Sequence, residues 1–186
     1  MESDILTQLY MIILDIETTG LSPTLNSMVS LGAVDYDTGD EFYGECYSWP
    51  TREISDFALG VNGFTREQVN DLTKQSPAQL YLDFLTWAKG RDPLLGGQQV
   101  GSFDILFLKE IHESSPFADM PKWPFGHRSV DIHSIAYAQL GKSLSLDGVL
   151  MAVGLSAEQK PHNALTGARL ERDAFKRLLD APGWKS

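Results

Sequence analysis

Aliphatic residues fill the run Met11-Ile12-Ile13-Leu14, which continues as Asp15-Ile16-Glu17-Thr18-Thr19-Gly20-Leu21. Side chains of this kind suit a buried strand, and Gly20 lets the chain turn sharply off the sheet. Residues two apart on a strand face the same side, so Asp15 and Glu17 project together. The alternation of Val29, Leu31 and Ala33 predicts a second strand over Met28–Tyr36, with Glu41–Trp49 as its partner. Between them, Asp35-Tyr-Asp-Thr-Gly-Asp40 reads as a hairpin turn. As a calcium loop it has its glycine one place early and no closing glutamate.

Ile54–Val69 predicts short helical pieces broken at Gly60 and Asn62-Gly63, with Thr65 capping a turn into Glu67 and Gln68. Ser76 caps a longer helix through Lys89, with Leu80, Phe84, Leu85 and Ala88 on one stripe. Leu94-Leu95 opens a short strand, although Gly96-Gly97 weaken it. Phe103, Phe107 and Ile111 recur at helical spacing, and Asp131 caps a helix running to Leu140. Ser145–Val153 reads as a short amphipathic helix stopped by Gly154. Asn163 caps a last helix that buries Ala168, Phe175, Leu178 and Leu179 and stops at Ala181-Pro-Gly.

These elements fit one α/β domain over residues 1–186, with its core at about 10–180. A hydrophobic content of 42% is that of an ordinary globular core. No apolar run is long enough to span a bilayer, and Met1–Tyr10 lacks the basic start of a secretion signal, so no membrane partner and a cytoplasmic location are expected. The single cysteine, Cys46, can form no internal disulfide and reads as a strand residue with a free thiol. A net charge of -10 argues against broad binding of a nucleic-acid backbone. The objection weakens if part of the excess sits in one carboxylate cluster built for metal.

Three positions carry candidate chemistry. Asp15 and Glu17 are either a solvated polar turn or a pair held by a hard divalent cation, which takes oxygen ligands. Asp104, in the first turn of its helix, either complements the helix dipole or adds a third carboxylate beside Asp15. His162, on the loop entering the last helix, is either solvated or, near a metal site, a base for a water nucleophile. Lys122, Trp123, Phe125 and Arg128 interleave charge and rings as a nucleotide rim would.

In chain order, Asp15-x-Glu17-Thr-Thr-Gly, Phe103-Asp104 and His162-x-Ala164 resemble the DEDD superfamily of 3′–5′ exonucleases, histidine subclass, which includes the proofreading subunits of bacterial replicative polymerases. Val61-Asn-Gly-Phe64 looks like that family's usual turn. The resemblance runs from about Tyr10 to Leu179. It implies a ribonuclease H-like fold, with a central mixed five-stranded sheet flanked by helices. It also implies two Mg²⁺ or Mn²⁺ ions and stepwise release of nucleoside 5′-monophosphates from single-stranded 3′ ends, with a polymerase or another replication or repair protein as partner. By the same resemblance Asp15, Glu17 and Asp104 are metal ligands and His162 the general base. Thr18, Thr19, Leu21 and Phe103 line the terminal nucleotide, Leu21 as an apolar wedge.

One position departs. Five residues after the histidine the family has aspartate, and here stands Gly167. Glycine within a helix costs roughly 1 kcal/mol relative to alanine, so it is no neutral filler. Water could replace the missing carboxylate, or Glu171 could reach partway back. Otherwise catalysis is lost and the module only binds nucleic-acid ends or a protein partner. Glu171 is expected to be an ordinary solvated acid, and Gly167→Asp is expected to raise activity if an ion site remains.

Overall fold

Strand β1, Ile12–Thr18, lies at the centre of a five-stranded sheet because its neighbours cover it on both sides and both faces. The computed structural model describes residues 10–115 and 121–179. β2 (Met28–Asp35) and β3 (Glu41–Glu45) continue from β1 as an antiparallel meander. On the other side β4 (Leu95–Gly97) runs parallel to β1, and β5 (Ser129–Asp131) parallel to β4, giving the order β3-β2-β1-β4-β5. The sheet is therefore mixed and flanked by helices, as expected.

Period-two alternation splits the core between the two faces. Ile12, Leu14 and Ile16 pack with α3 (Pro77–Ala88) and α4 (Asp104–Ser114) through Leu80, Phe84, Phe107 and Leu108. Ile13 faces the opposite layer of α5 (Ile132–Leu140), α6 (Leu146–Ala152) and α7 (Ala164–Leu179), meeting Val149, Phe175 and Leu178. Asp15 and Glu17 share that face further along the strand. Their charges come to lie where β1 leaves the sheet, beside the start of α7.

The caps fall where the hydroxyl and carboxyl residues predict. Ser76, Asp131 and Ser145 each accept a backbone N–H at a helix start, and Asn163 accepts from Thr166. Two short helices, α1 (Asp56–Asn62) and α2 (Arg66–Val69), occupy the Ile54–Val69 segment. Thr65 and Gln68 form a reciprocal capping box. Gly60, expected as a break, lies inside α1; the real stop is Gly63, whose φ of 74° an L side chain rarely adopts.

Four other expectations change. β3 ends at Glu45 rather than Trp49, and Cys46 instead bridges Gln75 with its thiol buried. The β4 glycines do not weaken that strand. A Cβ at Gly97 would stand 2.7 Å from the Leu14 carbonyl oxygen and 3.1 Å from Glu171 Oε2, so close packing requires glycine there. Ser129–Asp131 pairs with β4 as the fifth strand, although only the Asp131 cap was legible. Phe125 is buried and Trp123 packs over Tyr81, so these rings serve the core rather than a nucleotide rim. The stop at Ala181-Pro-Gly lies outside the described residues.

Helix α7 sits flush on the sheet because two small residues meet there. Ala164 is fully buried, and a Cβ at Gly32 on β2 would stand 2.2 Å from the Ala164 carbonyl carbon. Backbone atoms cannot give way as a flexible side chain can. Gly32→Ala is expected to cost about 3 kcal/mol by lifting α7 off β2, read as a lower urea midpoint; an unchanged midpoint would refute this packing.

Candidate active site at the end of the first strand

Five carboxylates gather where β1, α4 and α7 meet. Asp15 and Glu17 come from β1, Asp104 from the first turn of α4, Glu171 from the second turn of α7, and Glu158 from the loop that leads into α7. Asp104 is tied in by backbone: its Oδ1 accepts the Ile16 N–H at 3.1 Å, between the two β1 acids. The sequence alternative in which Asp104 joins Asp15 is thus realised in space.

The turn after β1 is fixed by hydroxyls. Thr18 donates to the Gly20 carbonyl at 2.6 Å, and Thr19 donates to the Glu53 carbonyl while accepting the Ser27 N–H. Thr19 is fully buried. Its hydroxyl is already engaged within the turn. Leu21 stands out from the same turn with 80% of its surface exposed. Phe103 is half-buried beside Phe107, at the start of α4.

His162 is held to the same end of the sheet through Val61-Asn62-Gly63. Asn62 donates its side-chain amide to the Thr18 carbonyl, and the His162 N–H donates to the Val61 carbonyl. Pro161 packs against Gly63, where a Cβ would meet it at 2.5 Å. The imidazole keeps 30% exposure, and its Nδ1 lies 3.5 Å from Glu158 Oε2.

Burial and mutual repulsion push these acids upward. Burial raises Glu17 to about 8, with Glu158 and Asp104 adding repulsion. Burial also raises Asp104 to about 8, against the pull of its own N–H and that of Ile16. Asp15 keeps a partial opening to solvent, yet burial is still the largest cause of its rise, followed by Glu171, Asp104, Glu17 and Glu158. Glu171 rises through burial first and then through Asp104. Glu158 rises through burial, partly offset by His162 and the Asn163 N–H.

Two of these residues change the sequence reading. Glu171 is 2% exposed rather than solvated, because it faces the sheet over Gly97, and its Oε2 is buried without a hydrogen-bond partner. Glu158 was not singled out at all; its buried Oε1 likewise has no partner. It lies in the polar loop from Gly154 to Pro161, and spacing alone does not bring that loop to β1. At Gly167 a Cβ would stand 2.0 Å from Asp15 Oδ2, so the Asp15 carboxylate occupies the space that a side chain would take.

No Lys or Arg pairs with any of the five among the described residues. As they stand, no three His, Cys, Asp or Glu side chains among the described residues are placed to hold a metal ion together. The arrangement is an open set of oxygen donors, two of them orphaned and buried, which is the donor chemistry that hard divalent cations take. Buried carboxylates at this density are tolerable when protonated or when a cation offsets them.

The family model described as exonuclease matches residues 12–171. Over 173 residues the chain is 29% identical to the PolC-type DNA polymerase III of Thermotoga maritima, covering 91% of this chain and 12% of that protein. The Oceanobacillus iheyensis counterpart is 33% identical over 102 residues, which are 53% of this chain and 7% of that protein. The chain thus spans a small part of the polymerases it matches. Among solved structures, E. coli exonuclease I in complex with a 5cy-dT13 oligonucleotide superposes with a TM-score of 0.76 at 17% identity, covering 96% of this chain and 42% of that one. The zinc-bound E. coli exonuclease I–single-stranded DNA complex superposes equally well, with a TM-score of 0.76 at 18% identity. At such identity the likeness establishes the ribonuclease H-like fold. With its family model running through both β1 acids, Asp104 and His162, the chain belongs to the exonuclease family, and the resemblance to the DEDD superfamily carried by its motifs holds.

Proposed function

We propose that the chain is a metal-dependent 3′–5′ exonuclease that shortens single-stranded DNA or RNA and releases nucleoside 5′-monophosphates. The observation that carries this reading is the set of Asp15, Glu17, Asp104 and Glu158 around the end of β1, beside a half-open His162. Asp15, Glu17 and Asp104 would hold Mg²⁺ or Mn²⁺. Bound there, the cations would offset the crowded negative charge and stabilise charge building on a scissile phosphate.

The chain's own groups divide the remaining work. His162, open enough to meet water and set beside Glu158, accepts the proton of the attacking water. Leu21, projecting from the turn after β1, lies against the terminal base, with Phe103 along the adjoining rim. Few phosphate contacts are needed to hold a strand end, which reconciles the activity with a net charge of -10. Polymerase relatives make a replication or repair polymerase the favoured partner. A second reading, a module that holds 3′ ends without cutting them, is favoured by Gly167 alone.

The test is incubation of 5′-labelled single-stranded DNA and RNA with the chain in Mn²⁺, Mg²⁺ or EDTA. A ladder shortening from the 3′ end, absent in EDTA, is the expected result. Oligonucleotide binding without any shortening would replace the enzyme reading with the second one.

A further inference from the structure

Gly167 removes a carboxylate from α7, and the fold brings another to the same spot. The Cβ position of Gly167 lies 3.5 Å from Glu158 Oε1 and 2.0 Å from Asp15 Oδ2, so Asp15 and Glu158 converge over the glycine. The Glu158 side chain is only 6% exposed, and its Oε1 is buried without a hydrogen-bond partner. Its other contacts fix its aim. The Glu158 N–H donates to Asp147 Oδ1 at 3.0 Å, which anchors the loop to α6. Its carboxylate accepts the Asn163 N–H and lies beside His162 Nδ1. One oxygen is thus tethered near the start of α7, and the other is left facing Asp15.

Resting on the exonuclease reading, we infer that Glu158 is a metal ligand of this site, supplying from the loop the carboxylate that position 167 lacks. Glu171 does not fill that role. It sits one helical turn, about 5.4 Å, further along α7, with its Oε2 3.1 Å from the Cβ position of Gly97, whereas Glu158 Oε1 is the carboxylate oxygen beside Asp15 at the Cβ position of Gly167. An aspartate at 167 would make the Asp15 carboxylate turn aside and would set a further negative charge beside Glu158.

The experiment is Mn²⁺ titration by calorimetry, with exonuclease rates alongside, on the original chain, Asp15→Asn, Glu158→Gln and the double variant Gly167→Asp/Glu158→Gln. Glutamine keeps the size and the acceptor for the Asn163 N–H while removing the charge. Glu158→Gln is expected to weaken Mn²⁺ binding at least tenfold, and the added aspartate to recover most of that loss. Mn²⁺ affinity within twofold of the original in Glu158→Gln, even with a slower rate or a displaced pH profile, would overturn the inference and leave Glu158 as a positioning residue for His162. A double variant that binds no better than Glu158→Gln would overturn it too. If Asp15→Asn also leaves Mn²⁺ binding unchanged, the metal-dependent reading itself fails.

Discussion

Asp15→Asn is expected to lower the rate of 3′-end shortening by at least about 10³-fold while raising thermal stability in EDTA at pH 8. The two effects share one cause. Burial and the charges of Glu171, Asp104, Glu17 and Glu158 all push the Asp15 carboxyl upward, so on the metal-dependent reading its charge is the one a cation would most relieve. Asparagine keeps its shape but removes the charge needed to hold a cation, and loss of such preorganised electrostatics costs orders of magnitude in rate. In the absence of cation the same charge is a liability, and removing it relieves repulsion among buried acids. Circular dichroism should be unchanged. A variant that retains a tenth or more of the original rate would remove Asp15 from the chemistry; one that melts at a lower temperature in EDTA would mean its charge is not opposed as described.

Raising the pH from 5 to 8 in EDTA is expected to lower the thermal midpoint by about 10 °C, equivalent to about 3 kcal/mol for a chain of this size. In the folded chain Glu17 and Asp104 lose their protons only near pH 8, against 4.5 and 3.8 as their ordinary values. Asp15 and Glu171 are shifted in the same direction. Between about pH 4 and 8 the unfolded chain has given up protons that the folded chain keeps. Unfolding then releases protons, and stability falls as pH rises through the folded values. Glu41 and Glu45, lowered by Arg169 and Lys74, act in the opposite sense, but at lower pH and from the surface. Mg²⁺ or Mn²⁺ at pH 8 should restore most of the loss by binding the folded state alone. A midpoint that stays flat or rises from pH 5 to 8 in EDTA would contradict the burial of these acids.

The expectation attached to Gly167→Asp changes for the same structural reason. From the motif alone the substitution restores a ligand. In the fold its Cβ would meet Asp15 Oδ2 at 2.0 Å, and Glu158 already aims an oxygen at that place. On the inference that Glu158 supplies the missing carboxylate, aspartate at 167 is expected to help only where Asp15 turns aside and Glu158 has lost its charge.

Much of the architecture was written in local pattern. The run Ile12 to Ile16 specified a buried strand, and its period of two put Asp15 and Glu17 on one face. Ser76, Asp131, Ser145 and Asn163 marked helix starts because capping is a local hydrogen bond within three or four residues. The ordered motifs around Asp15, Asp104 and His162 were legible as a family signature. Tertiary structure alone decided what depends on distant segments meeting. It made a strand of Ser129–Asp131, which is too short to carry a period and exists through pairing with β4, and it completed the strand that Leu94-Leu95 only hinted at. It buried Glu171, which was expected in solvent, by setting it against the sheet over Gly97. It also brought Glu158 within reach of Asp15, a neighbour 143 residues away in sequence. Composition and spacing carry no trace of that contact, because it arises only when α7, seated on Gly32 through Ala164, draws its entry loop over the end of β1.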